Sequence, residues 1–204
     1  MNNQVLVYLH EGYADWEIGF ILPELAKAGY GVKSVSTDGL AVKSMGRISI
    51  LPDQRLSSVD PMESFHLVIL PGGDSWNDPN NHQEILALLP TWHRKGIFIA
   101  GICGAVIGLA RTGLLNTVKH TSNYLPLTQQ LAPNYTGSNL HSHRLAEADQ
   151  GLITASGIGA MEFSCEILKA LKVFSEARAE EWLNFYKHAI PPQWMIKMTQ
   201  KYPD

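Results

Sequence analysis

The stretch IFIAGICGAVIGLA, residues 97 to 110, decides the fold. It reads as a short apolar strand, a turn of small residues and an apolar helix. A single cysteine, Cys103, stands at the turn. Residues 101 to 105, GICGA, match a G-x-[S/C]-x-G elbow except at the last position, where Ala105 replaces glycine. In such an elbow a strand turns at once into a helix, so the nucleophile is exposed, strained and at a helix N-terminus. Partial positive charge at that terminus lowers a thiol pKa. The same five residues also fit a buried cysteine in a core turn, because free cysteine is often fully buried.

Working outward, strands and helices alternate. QVLVYL (4 to 9) fits a strand buried on both faces, and DWEIGFILPELAKAG (15 to 29) a helix kinked at Pro23 and stopped by Gly29. GVKSVST (31 to 37) is a second strand, LAVKSMGRISIL (40 to 51) a hairpin or edge pair, and HLVILPGG (66 to 73) a buried strand ending in a turn. Residues 82 to 94 are helical, TVKH (117 to 120) reads as a strand, and 122 to 131 as a helix. GLITAS (151 to 156) and GAMEFSCEILKAL (159 to 171) form a late strand and helix, followed by a helical tail from about 175. This order predicts one α/β domain over 1–204, a mostly parallel central sheet with helices on both faces. In such sheets the site lies at the carboxyl ends of the strands.

Composition sets the bounds. The chain has 204 residues, 45% hydrophobic and 17% charged, with a net charge of −3. That is globular, and gives no electrostatic footprint for nucleic acid or anionic membrane. No apolar run approaches a membrane span, and MNNQVLVYLH lacks the basic n-region of a signal peptide. Two cysteines, Cys103 and Cys165, make no disulfide framework and point to a reducing cytoplasm. Cys165 shares its helix with Phe163, Ile167 and Leu168 and reads as core. No metal or cofactor motif is present.

Two further strand ends bear on Cys103. In LPGGDSW (70 to 76), the N–H of Gly73 together with that of Gly104 forms an oxyanion hole beside Cys103, or the glycines merely make a tight turn. Gly72, Asp74 and Trp76 flank that loop as candidate pocket residues. Glu17, between Trp16 and Ile18, is either a surface charge at a helix start or an inward acid sharing a proton with the thiol. His10 and Glu11 read as a polar loop at the sheet's edge.

Taken in order, the acid after strand one, the PGG turn and the Cys elbow resemble the DJ-1/PfpI superfamily, as does ITASGIGAMEFSCEILKAL (153 to 171). ICGAVIGLA and KHTSN are most similar to its bacterial branch described as intracellular proteases or type 1 glutamine amidotransferase-like proteins. The resemblance covers roughly residues 3 to 173. It implies a flavodoxin-like three-layer sandwich, Cys103 as elbow cysteine, Glu17 as the acid touching it, and Gly73 and Gly104 as backbone donors. It also raises the question of a histidine. PfpI-like proteases carry one directly after the cysteine, where this chain has Gly104. DJ-1-like members take it from the segment before the last strand, here NYTGSNLHSHRLAEADQG, which offers His141 and His143; His120 is a further candidate. A glutaminase is excluded because no late His-x-Glu pair follows. The function expected is a cysteine-nucleophile enzyme, hydrolase or hydratase in type, acting on a small electrophilic molecule without cofactor, as a homodimer. A stress-response protein with a reversibly oxidised Cys103, or a binding domain, is the alternative.

Overall fold

The structure, a computed structural model, describes residues 3–59 and 65–201. Its strands are β1 (Gln4–Tyr8), β2 (Gly31–Ser36), β3 (Val42–Lys43), β4 (Ser49–Ile50), β5 (Gln54–Arg55), β6 (Leu67–Leu70), β7 (Phe98–Ile102), β8 (Ala146–Asp149) and β9 (Leu152–Ala155). The helices are α1 (Ile21–Lys27), α2 (Gln83–Arg94), α3 (Ala105–Arg111), α4 (Leu125–Leu131), α5 (Ala160–Ala170), α6 (Glu176–His188) and α7 (Gln193–Lys201). Seven strands form one sheet in the order β5-β2-β1-β6-β7-β9-β8, and β3 and β4 pair apart as a small antiparallel hairpin. Every pair in the large sheet is parallel except β8 with β9.

Period-two alternation splits the core between the two faces of the sheet. Leu6 and Tyr8 of β1, with Val68 and Leu70 of β6, pack against α2 and α3. Val5 and Val7, with Leu67 and Ile69, pack against α1 and α5. All four residues of β6 are fully buried, which is why its sequence is an unbroken apolar run. The result is the flavodoxin-like three-layer sandwich. Among the described residues no helix is long and apolar enough to cross a membrane.

Three local expectations change. The helix foreseen over 15 to 29 is a 3-10 turn, Asp15–Glu17, followed by α1, and Pro23 falls in the first turn of α1. There its missing N–H costs nothing, so no kink results. TVKH is not a strand: His120 makes a single isolated bridge to His141, and the next amide, of Thr121, turns instead to the side-chain oxygen of Thr154. The antiparallel β8 was not foreseen, although Gln150 and Gly151, at φ 47° and 83°, supply the left-handed pair a two-residue hairpin needs.

Candidate active site

β7 ends at Ile102 and α3 begins at Ala105, so Cys103 occupies the elbow. Its φ is 59°, a left-handed conformation costing a non-glycine residue roughly 1–2 kcal/mol. It is held there by its N–H, which donates to Ala155 O at 2.9 Å, and by its carbonyl, which accepts from Val106 N at 3.1 Å. Glycine flanks it because backbone and side chains pass close. A Cβ on Gly104 would meet Gly73 O at 2.6 Å, and one on Gly101 would meet Leu109 Cδ1 at 2.7 Å.

Glu17 is fully buried at the end of its 3-10 turn. Its Oε2 accepts from the Gly72 amide at 2.6 Å, while Oε1 has no nitrogen or oxygen partner among the described residues. That side of the carboxyl faces the thiol across Gly157. A Cβ on Gly157 would stand 2.9 Å from Cys103 Sγ and 3.2 Å from Glu17 Oε1. A Cβ on Gly72 would likewise meet Cys103 Cβ at 2.5 Å and Glu17 Oε2 at 2.8 Å. Burial pushes Glu17 up to about 7, against the Gly72 amide and the thiol contact, which pull it down.

Burial and the Glu17 charge push the Cys103 thiol up, outweighing the Asn123 amide and the Gly104 N–H. The lowered thiol pKa foreseen from the helix N-terminus is therefore not what the site produces. The helix is short, at seven residues, and a carboxylate sits nearer than its dipole can compensate. Cys165 is only 5% exposed and burial takes it to about 12.

A cavity of about 180 Å³ opens over Cys103, lined by Gly73, Asp74, Gly104, Ser122, Asn123 and Tyr124 among others. Gly73 sits at φ 151°, which only glycine adopts readily, and neither its amide nor that of Gly104 donates to a backbone carbonyl among the described residues. Gly72 holds Glu17 from outside the cavity. Trp76 does not line it: the ring is fully buried beneath the elbow, its indole N–H donating to Pro71 O at 2.9 Å.

No histidine hydrogen-bonds the thiol among the described residues. His120 is fully buried and committed elsewhere, Nδ1 against Val118 O at 2.8 Å and Nε2 against Tyr135 Oη at 2.6 Å. His141 reaches only as far as Ser122 Oγ, at 3.1 Å, and His143 lies beyond it, ring to ring. The side chain that does touch the sulfur is Asn123, whose Nδ2 donates to Sγ at 3.1 Å and whose Oδ1 accepts from the Gly157 amide at 2.7 Å. Asn123 stands in the KHTSN stretch and Gly157 just after β9. Position at a strand end was the available signal for both, and the search for a base drew attention to the histidines instead. His10 is also misplaced by sequence: it is 6% exposed, inside the molecule and not at the sheet's edge.

With this geometry in hand, comparison with known proteins is informative. The chain is 36% identical to the uncharacterized protease YoaZ of Bacillus subtilis, with 96% of each chain covered. It is 33% identical to the uncharacterized protease YdeA of the same organism over 82% of this chain and 83% of that one. Among solved structures it superimposes on a ThiJ/PfpI family protein from Bacillus anthracis with a TM-score of 0.88 at 32% identity, over 100% of this chain and 99% of the other. It also superimposes on the DJ-1 superfamily protein Atu0886 from Agrobacterium tumefaciens with a TM-score of 0.83 at 29% identity, over 92% and 100%. The family model described as the DJ-1/PfpI family matches residues 3–170, which ends where α5 ends and leaves α6 and α7 outside, and the chain belongs to that family.

Proposed function

We propose that this protein is an enzyme with Cys103 as covalent nucleophile and Glu17 as its proton partner, acting on a small electrophile. The observation that carries the reading is the shared space at Gly157, where one Cβ would crowd both the thiol and a buried carboxyl oxygen that has no nitrogen or oxygen partner among the described residues. With the carboxyl at about 7 and the thiol raised, Cys103 keeps its proton near neutrality while Glu17 is partly ionised and can take that proton as sulfur attacks. When sulfur attacks a substrate carbonyl carbon, the S–C bond forms and the carbonyl π pair moves to oxygen. The N–H groups of Gly73 and Gly104 receive that oxyanion, and the thiol proton passes to Glu17. Glu17 then returns the proton to the leaving group, and water, deprotonated by the same carboxylate, releases the product.

Peptide hydrolysis is not part of this reading. The cavity over Cys103, about 180 Å³, suits a small molecule, and among the described residues no histidine hydrogen-bonds the thiol as a protease-like triad requires. The same reading places the protein in the cytoplasm as a homodimer, with both cysteines reduced. One observation favours reversible oxidation as a second role: the Asn123 amide already donates to sulfur and would hold a sulfenate oxygen equally well.

Alkylation with iodoacetamide, followed by mapping of the adducts, tests the site. Cys103 is expected to label and Cys165 not; equal labelling, or faster labelling at Cys165, refutes the assignment. A panel of small amides, isonitriles and dicarbonyls then separates the roles. Turnover that disappears in Cys103→Ser supports the enzyme. Oxidation of Cys103 to a sulfenate by sub-stoichiometric peroxide, reversed by added thiol and without turnover of any panel member, supports oxidation.

A further inference from the structure

A second and larger cavity, about 620 Å³, opens at the carboxyl ends of β1 and β2, beside the N-terminus of α2. Its wall carries an unbroken chain of neutral polar groups. Thr37 Oγ1 lies 3.0 Å from Tyr8 Oη, which lies 2.9 Å from His82 Nδ1. His82 Nε2 lies 3.0 Å from Ser75 Oγ, which lies 3.1 Å from His10 Nδ1. His10 ends the chain between two carbonyls, Glu11 O at 3.1 Å from Nδ1 and Pro71 O at 3.4 Å from Nε2. Burial lowers both histidines, His82 to about 3, so each ring carries one N–H at neutral pH. His82 is held at φ 62°, left-handed backbone that a histidine adopts at a cost, and the surrounding contacts keep it there.

We propose that this cavity is a second binding site, for a small neutral polyhydroxyl compound, and that Tyr8, His82, Ser75 and His10 connect its occupant to the peptide group that holds Glu17. The connection rests on the reading of Glu17 given above; the binding site does not. Among the lining residues Glu11, Asp38 and Glu84 bring negative charge and no lysine or arginine answers it, which excludes anions. Asn80, Asn81, Gln83 and Thr37 can each donate and accept, as hydroxyls do, and carboxylate oxygens accept from paired hydroxyls.

The chain has two polarities. In one, hydrogen bonds run from Tyr8 to His82 to Ser75 to His10, whose Nε2–H donates to Pro71 O. In the other, His10 Nδ1–H donates to Glu11 O and Ser75, the direction reverses until Tyr8 O–H points at Thr37, and Pro71 O loses its bond from His10, which makes this the costlier polarity. Both rings tautomerise between the two, and no net charge moves. Pro71 O and the Gly72 N–H belong to one peptide unit, and that N–H donates to Glu17 at 2.6 Å. A ligand hydroxyl that donates to or accepts from Tyr8 selects one polarity, and so strengthens or weakens the amide bound to Glu17.

Ribitol, sorbitol and glucose are the probes, titrated into protein labelled with 15N, with the imidazole resonances of His10 and His82 as readout. At least one polyol is expected to shift both rings saturably. Asn80→Ala should weaken that polyol about tenfold, the loss of one hydrogen bond to a ligand. In the wild type the bound polyol should move the pH midpoint of Cys103 alkylation; in Ser75→Ala it should still bind within a few-fold and no longer move it. Putrescine or sulfate binding in place of all three polyols, or no saturable shift with any of them, overturns the site. A polyol that binds while leaving the wild-type alkylation midpoint unchanged overturns the connection. Because binding is read at the histidine rings, failure of the thiol chemistry registers separately.

Discussion

Glu17→Gln is expected to stabilise the protein at alkaline pH while disabling the site. Folding removes the carboxyl from water and leaves Oε1 unpartnered, which raises it from 4.5 to about 7. At 1.36 kcal/mol per unit, that shift makes the ionised folded state costlier than the ionised unfolded state by about 3 kcal/mol. The sign follows from proton counts. Between the two values the folded protein binds the proton and the unfolded chain has lost it, so stability falls as pH rises through that window and levels off above it. Below the window both states are protonated and the effect is absent. Glutamine keeps an acceptor for the Gly72 amide and cannot ionise. The variant should therefore match the wild type near pH ~4 and exceed it by about 3 kcal/mol near pH ~8. For a chain of this length that is a rise in Tm of roughly 6–12 °C. His10 and His82, buried and neutral, impose the opposite slope on the acid side, but both proteins share it and it cancels in the difference. Urea unfolding of both proteins across this range is the measurement. Two parallel curves would mean that Glu17 ionises in the folded state as it does in the unfolded chain, too acidic to take the thiol proton near neutrality, and the mechanism would fall with it.

Three more substitutions probe the same site. Gly157→Ala places a Cβ 2.9 Å from Sγ on backbone that alanine can adopt, and should slow Cys103 alkylation more than tenfold with an unchanged circular dichroism spectrum. Asn123→Ala removes one donor from sulfur and the acceptor of the Gly157 amide, so the alkylation midpoint should move up in pH and stability fall by about 1–2 kcal/mol. An unmoved midpoint would show that the amide does not serve the thiolate. At the elbow itself, Cys103→Gly should be more stable than Cys103→Ala by about 0.5–1 kcal/mol, the reverse of the usual order, because φ at 59° penalises any Cβ; thermal melts of the pair decide it.

What the sequence disclosed and what it withheld divide along one physical line. Strand and helix order and the elbow depend on near neighbours in the chain and on apolar periodicity, and LVIL at β6 or GICGA at the elbow carries that information locally, whereas the inward acid was legible only through the family resemblance. The polar partners do not. Asn123 reaches Cys103 from 20 residues away, and nothing in its own surroundings distinguishes it from the histidines nearby. His120 stands at an equally promising strand end, yet Tyr135 and Val118 O occupy both its nitrogens. Titratable character marked those histidines as candidates; only the fold shows that their hydrogen-bonding capacity is already used.

The same division explains the error at His10. Beside Glu11 and after a strand it resembles a wet loop, and its burial depends on Ser75 and His82, more than sixty residues distant. A buried histidine normally loses stability unless its nitrogens are matched, and here Nε2–H can donate to Pro71 O while Nδ1 accepts from the Ser75 hydroxyl. That satisfaction permits a neutral imidazole to sit behind the oxyanion loop, where a Cβ on Gly73 would collide with its Cε1 at 2.7 Å. Gly73 is thus required twice, once by its own backbone angle and once by the ring packed behind it. The turn lining the cavity over Cys103 and the polar chain leading to the second cavity are therefore built on the same glycine.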